Sequence, residues 1–172
     1  MKTVSKVSDW FLWWLLYSVA GWVYEIIVVS IQEGHLVGRG FLYGPLCPIY
    51  GTGALLAIAL LYKRVKSPVP LFLVGTTLAT AIEYATSVVL ERLFDRRWWD
   101  YSNFRFNIEG RVCLLAAVVF GVLVVLLIKI VHPRVEVLTS RFADRTKIIL
   151  ASTFAVLIAI DFYMTLFHLL GT

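Results

Sequence analysis

A chain of 172 residues that is 60% hydrophobic and 15% aromatic, with a mean hydropathy of +0.83, carries more apolar surface than a water-soluble fold can hide. Its formal net charge of +5, from 16 basic and 11 acidic residues, is scattered among short loops, which excludes a nucleic-acid partner and reads instead as membrane topology. No Walker A sequence, haem-type cysteine motif or repeated zinc-ligand spacing occurs, so no cofactor or metal is expected in this chain, and ATP would enter only through a partner ATPase.

Five apolar runs are long enough to span a bilayer, at about 20 residues each. They are 10–31, 41–61, 69–90, 112–131 and 148–170, and they predict an all-α integral membrane protein forming a single transmembrane domain over 1–172. Lys2 and Lys6 before the first run, and the small residues Ser18-Val19-Ala20 within it, resemble a secretory signal. The run continues to Ile31, longer than a signal's apolar core, so the first span is expected to be retained. Helical spacing sets Ser18, Gly21, Glu25 and Gln32 along one face of it, a polar and small-residue stripe that should turn away from lipid.

The second run begins badly for a helix. Gly38-Arg39-Gly40-Phe41-Leu42-Tyr43-Gly44-Pro45-Leu46-Cys47-Pro48-Ile49-Tyr50-Gly51 removes backbone donors at Pro45 and Pro48 and permits positive φ at its glycines. Unwound backbone survives at membrane depth only against protein or a wet cavity, so this broken lead-in points to a site. A tight turn outside the membrane followed by an ordinary helix is the plainer alternative.

The third run places Glu83 on a face with Thr76, Ala79, Thr80, Thr86 and Ser87. After it, Arg96-Arg97-Trp98-Trp99-Asp100-Tyr101 leads to Phe104, Phe106 and Asn107, aromatics beside arginines that suit either an interfacial belt or a lid in which Asp100 and Asn107 offer polar contacts. Beyond the fourth run, Val135, Leu138 and Phe142 oppose Glu136, Arg141 and Asp144, which predicts a short surface helix. The last run carries Asp161 with Thr165 and His168 on its face. Cys47 and Cys113 sit among apolar residues and read as small buried hydrophobes.

Orientation follows from the basic residues of the loops. With the amino terminus cytoplasmic, the inner segments hold Lys2, Lys6, Lys63, Arg64, Lys66, Lys129, Arg134, Arg141, Arg145 and Lys147, against Arg39, Arg92, Arg96, Arg97, Arg105 and Arg111 outside. Ten against six, in a multi-pass protein of the cell membrane, predicts a cytoplasmic amino terminus and an external carboxyl terminus. A carboxylate within a span is costly, about 2.5 to 3.5 kcal/mol on insertion scales, so Glu25, Glu83 and Asp161 require a reason. Each falls roughly 3 to 6 Å outward of its span's midpoint, one common layer that Arg39 and Arg111 are placed to reach. Structural ion pairs would account for them without any site. Metal binding by Glu25, Glu83, Asp161 and His168 together is a minor alternative. A weak repeat runs through the same residues: Tyr24-Glu25, Gly38-Arg39 and Cys47 against Glu83-Tyr84, Gly110-Arg111 and Cys113, which would make two parallel helical hairpins plus a fifth span.

Three phrases, Gly44-Pro45-Leu46-Cys47-Pro48-Ile49-Tyr50-Gly51, Trp99-Asp100-Tyr101-Ser102 and Asn107-Ile108-Glu109-Gly110-Arg111-Val112-Cys113-Leu114, resemble the bacterial membrane family labelled putative ABC-transporter permease, type IV or CmpB-like. The resemblance implies a permease working with a separate ATPase, although five spans and short inner loops differ from a six-span permease half with coupling helices. Transport of a cation, proton or small solute past the intramembrane acids is therefore the leading expectation. The candidate substrate-binding or ion-pair residues are Glu25, Arg39, Tyr43, Tyr50, Glu83, Trp99, Asp100, Asn107, Arg111, Asp161 and His168. The expected partners are the lipid bilayer and either a partner ATPase or further copies of this chain. The alternatives are an intramembrane enzyme acting on a lipid or polyprenyl headgroup, with Glu25 or Glu83 as general base and Arg39 and Arg111 holding the headgroup, or a structural membrane subunit.

Overall fold

The computed structural model describes residues 2–38 and 40–170. Apart from one small hairpin the regular structure is helical: α1 Lys2–Glu33, α2 Pro48–Leu61, α3 Pro68–Phe94, strands β1 Asn107–Ile108 and β2 Val112–Cys113, α4 Leu114–Leu126, a π-helical turn Leu127–Val131, α5 His132–Ser140 and α6 Asp144–Leu170. Among the described residues, four helical stretches are long and apolar enough to cross a membrane: Thr3–Glu33, Pro68–Phe94, Leu114–Ser140 and Asp144–Leu169.

The expected second span is the exception. Only its last 14 residues, α2, are helical, which at a rise of about 1.5 Å per residue reach about 21 Å, short of the roughly 30 Å hydrocarbon core. Residues 41–47 are not helical, because Pro45 and Pro48 lack the N–H a helix needs and Gly40 takes a left-handed φ of 120°. Pro48 stands where proline is tolerated, at the first helical position.

The other boundaries have local causes. Gly34 (φ 73°) stops α1 and Asp95 (φ 48°) stops α3, while α3 starts at Pro68 after an extended Ser67. The expected short surface helix after the fourth span is instead the continuation of that span. The His132 N–H bonds the Leu127 carbonyl five residues back, and the widened turn makes room for Pro133, whose ring would collide with a carbonyl of an unbroken α-helix.

The chain divides into two compact units, Met1–Leu55 with Val135–Thr172 and Leu56–Arg134. In the first, polar groups tie α1 to α6 and to the end of α5: Lys147 pairs with Asp9 at 2.9 Å and the Ser5 hydroxyl donates to Asp144 at 2.6 Å, while the Trp13 indole donates to Thr139 of α5 at 3.1 Å. In the second, α3 and α4 approach closely at glycines. A Cβ on Gly75 would lie 2.7 Å from Val124, and one on Gly121 would lie 2.8 Å from Phe72 and collide with the Thr76 hydroxyl. Small residues at such crossings are how membrane helices gain contact when lipid is as apolar as they are.

Candidate functional site

In the first unit, the polar stripe of α1 receives the unwound segment. The Cys47 N–H donates to the Ser18 carbonyl at 3.0 Å, and Gly51 lies against Ser18 and Trp14. One turn further, Gly21 leaves room for the Tyr50 ring, whose hydroxyl donates to Glu25 at 2.7 Å. A side chain at position 21 would occupy the space of that ring, so the glycine and the Tyr50–Glu25 bond depend on each other. Tyr24 lies beside Tyr50, with ring centroids 5.9 Å apart.

From α6, the Asp161 carboxylate meets the same segment. One oxygen accepts from the Tyr43 N–H at 3.0 Å and the other from the Gly44 N–H at 2.9 Å. The buried Thr165 hydroxyl reaches the first of these oxygens at 3.4 Å. Successive N–H groups free to point at a carboxylate exist only because the chain is not helical here. Gly44 is required as well, since a Cβ would stand 2.8 Å from the carboxylate. The rings of Tyr43 and His168 lie 6.2 Å apart, which puts His168 at the edge of this cluster.

In the second unit, Glu83, Ser87 and Glu91 follow one another at steps of four along α3, and the loop before α4 folds onto them. Tyr101 donates its hydroxyl to the buried Glu83 at 2.9 Å. Arg111 donates to the Ser87 hydroxyl at 3.1 Å, forms an ion pair with Glu91, and reaches Glu109 at 3.2 Å. Arg97 also pairs with Glu91, at 2.8 Å, and Tyr84 donates to Glu109 at 2.9 Å. Thus the ion pairs of Arg111 are made with carboxylates near the end of α3 and in the loop.

The loop's shape comes from a tight turn within the hairpin that pairs Ile108 with Val112. Glu109 (φ 53°) and Gly110 (φ 68°) both have positive φ, and the Arg111 N–H returns to the Ile108 carbonyl at 2.9 Å. Asn107 accepts from the Gly110 N–H at 3.0 Å and donates to the Phe104 carbonyl at 2.8 Å. Asp100 accepts from the Ser102 hydroxyl and N–H, at 2.5 and 2.9 Å, and Trp99 donates to the Arg111 carbonyl at 2.9 Å. Asp100, Asn107 and Trp99 therefore build the loop that holds Arg111 and Tyr101 in place.

Electrostatics follow these contacts. The Tyr84 hydroxyl, then Arg111, hold the Glu109 carboxyl below its usual range. Ser102, through hydroxyl and N–H, does the same for Asp100. Glu91 holds the Arg111 guanidinium still more firmly protonated.

Of the sequence-derived candidates, the structure brings Glu25 to Tyr50, Asp161 to Tyr43 beside His168, and Glu83 to a loop framed by Trp99, Asp100, Asn107 and Arg111. Arg39 lies outside the described residues. Tyr101, Tyr84 and Glu91 were not among the candidates; the four-residue step from Glu83 through Ser87 was the signal for Glu91. Among the described residues no group of three or more His, Cys, Asp or Glu side chains is gathered for a metal ion.

No curated protein and no solved structure matches the chain. A family model described as "Putative ABC-transporter type IV" matches residues 12–166. That match takes in the carboxylates of both clusters and most of each helix that carries them, and on it the chain belongs to the family of putative type IV ABC transporters.

Proposed function

We propose that this protein is the membrane-embedded, permease-like part of a transporter whose solute is a cation, a proton or a small cationic molecule. The observation that carries this reading is the Asp161 carboxylate bound to the N–H groups of Tyr43 and Gly44. A cation or proton arriving at Asp161 competes with those N–H groups for the same oxygens, so solute binding and release of the unwound segment are one event. Glu25, held by Tyr50, is a second acidic group beside the same unwound segment; in the other unit Glu83, held by Tyr101, is an acid of the same kind.

The reading includes the two-hairpin repeat, in which the helices correspond pairwise. α1, the broken lead-in and α2 correspond to α3, the outer loop and α4. In each, a tyrosine hydroxyl meets a glutamate on the first helix, and a cysteine, Cys47 or Cys113, directly precedes the second. In this arrangement α2 makes the fifth crossing together with its unwound lead-in, the amino terminus is cytoplasmic and the carboxyl terminus external, and a partner ATPase supplies the coupling to ATP.

The test is solute flux in membrane vesicles from expressing cells, which retain any partner ATPase, comparing wild type with Asp161→Asn. Loss of cation- or proton-coupled flux with normal insertion is the expected result. Undiminished flux in the variant overturns the role of Asp161, and altered lipid headgroups in place of flux would favour the enzyme.

A further inference from the structure

Of the four arginines between α3 and α4, Arg97 and Arg111 are held by carboxylates, and Arg96 lies over the Trp98 ring at 5.8 Å. Arg105 is exposed and bonds no other described residue. It borders an open concavity of about 370 Å³ whose other walls are Phe104, Phe106, Leu114, Leu115 and Val118. The backbone at Phe106 is left-handed (φ 54°), with its carbonyl tied to the Leu114 N–H at 3.2 Å, and the ring is 78% exposed. A bulky apolar residue held in that conformation and displayed outward is not explained by the packing of this unit.

Leu114, Leu115 and Val118 form the first turns of the apolar stretch Leu114–Ser140, so the concavity sits at the end of a membrane span, at headgroup depth. No carboxylate lines it, and its walls offer almost no polar group to a peptide backbone. One ligand chemistry fits an apolar slot that continues along a lipid-facing helix and is headed by an unpaired guanidinium. We propose that this is a retention site for an anionic phospholipid, with an acyl chain along Leu114, Leu115 and Val118 and the phosphate on Arg105. A planar guanidinium binds phosphate oxygens in pairs, and with no carboxylate lining the slot to receive an ammonium headgroup the site favours a lipid of net negative charge. This inference does not depend on the transport reading.

The test is titration of the delipidated chain in detergent with phosphatidylglycerol or phosphatidylcholine, read by native mass spectrometry. Wild type is expected to retain one phosphatidylglycerol several-fold more than phosphatidylcholine. Arg105→Gln, at an exposed position with no protein partner, is expected to abolish that preference, and Leu115→Trp to lower retention of both lipids by filling the slot. Arg92→Gln, which removes another exposed arginine from the last turn of α3, is expected to change nothing. Equal retention of the two lipids by wild type, an unaltered preference in Arg105→Gln, or an equal loss in Arg92→Gln would each overturn the proposal.

Discussion

Asp161 holds Gly44 by its backbone: the carboxylate of a long apolar helix accepts the Gly44 N–H at 2.9 Å while its other oxygen takes the neighbouring N–H of Tyr43 at 3.0 Å. A carboxylate in a membrane span and an unwound stretch of chain are each costly alone. Together each supplies what the other lacks. Asp161→Ala leaves two N–H groups without their acceptor, each costing about 1 to 3 kcal/mol if buried. Thermal unfolding in detergent is expected to show a marked loss for Asp161→Ala and a smaller one for Asp161→Asn, which keeps one acceptor oxygen. Equal stability of all three proteins would mean that the contact does not hold the segment.

The two tyrosine–glutamate bonds are expected to behave alike. Tyr50→Phe and Tyr101→Phe each remove one donor to a carboxyl group, which costs about 1 to 3 kcal/mol. Glu83→Gln keeps an acceptor for Tyr101 and is expected to remain folded, as judged by gel filtration in detergent, while losing flux. Wild-type flux in Glu83→Gln would return Glu83 to a purely structural part.

Acid is expected to loosen the loop before α4. Glu109 and Asp100 have folded values lowered from 4.5 and 3.8, so their contribution to stability is fully present above those ordinary values and is lost below them, as pH falls through the lowered folded values. Because the Trp99 indole is bonded to the Arg111 carbonyl, tryptophan emission should shift red over that acidic range. Glu109→Gln should shrink the shift, and an identical titration in that variant would exclude Glu109 as its source.

Much of this was legible as helical arithmetic. Ser18, Gly21 and Glu25 fall on one face by counting, and that face does receive Cys47, Tyr50 and Gly51. The partner of Asp161 was not legible, because it is backbone, and an amide becomes available only where a helix fails to form. Hydropathy alone ran the second span from Phe41, but the glycines and the prolines Pro45 and Pro48 foretold the broken lead-in, and residues 41–47 are indeed not helical. Arg111 was matched to acids deep in the spans, yet it pairs with Glu91 and Glu109 because the tight turn at Glu109 and Gly110 fixes where its side chain begins.

The basic-residue tally makes a separate prediction. A reporter fused after Thr172 should read as external and one inserted between Lys63 and Ser67 as cytoplasmic. Both on the same side would remove the proposed orientation.

The central claim is that the Asp161 carboxylate holds the unwound segment, and amide hydrogen exchange across residues 41–47 at a single pH tests it most directly. Tyr43 and Gly44 should exchange several-fold faster in Asp161→Asn than in wild type, with the amides of α1 unchanged. Equal rates at Tyr43 and Gly44 in the two proteins would contradict the account.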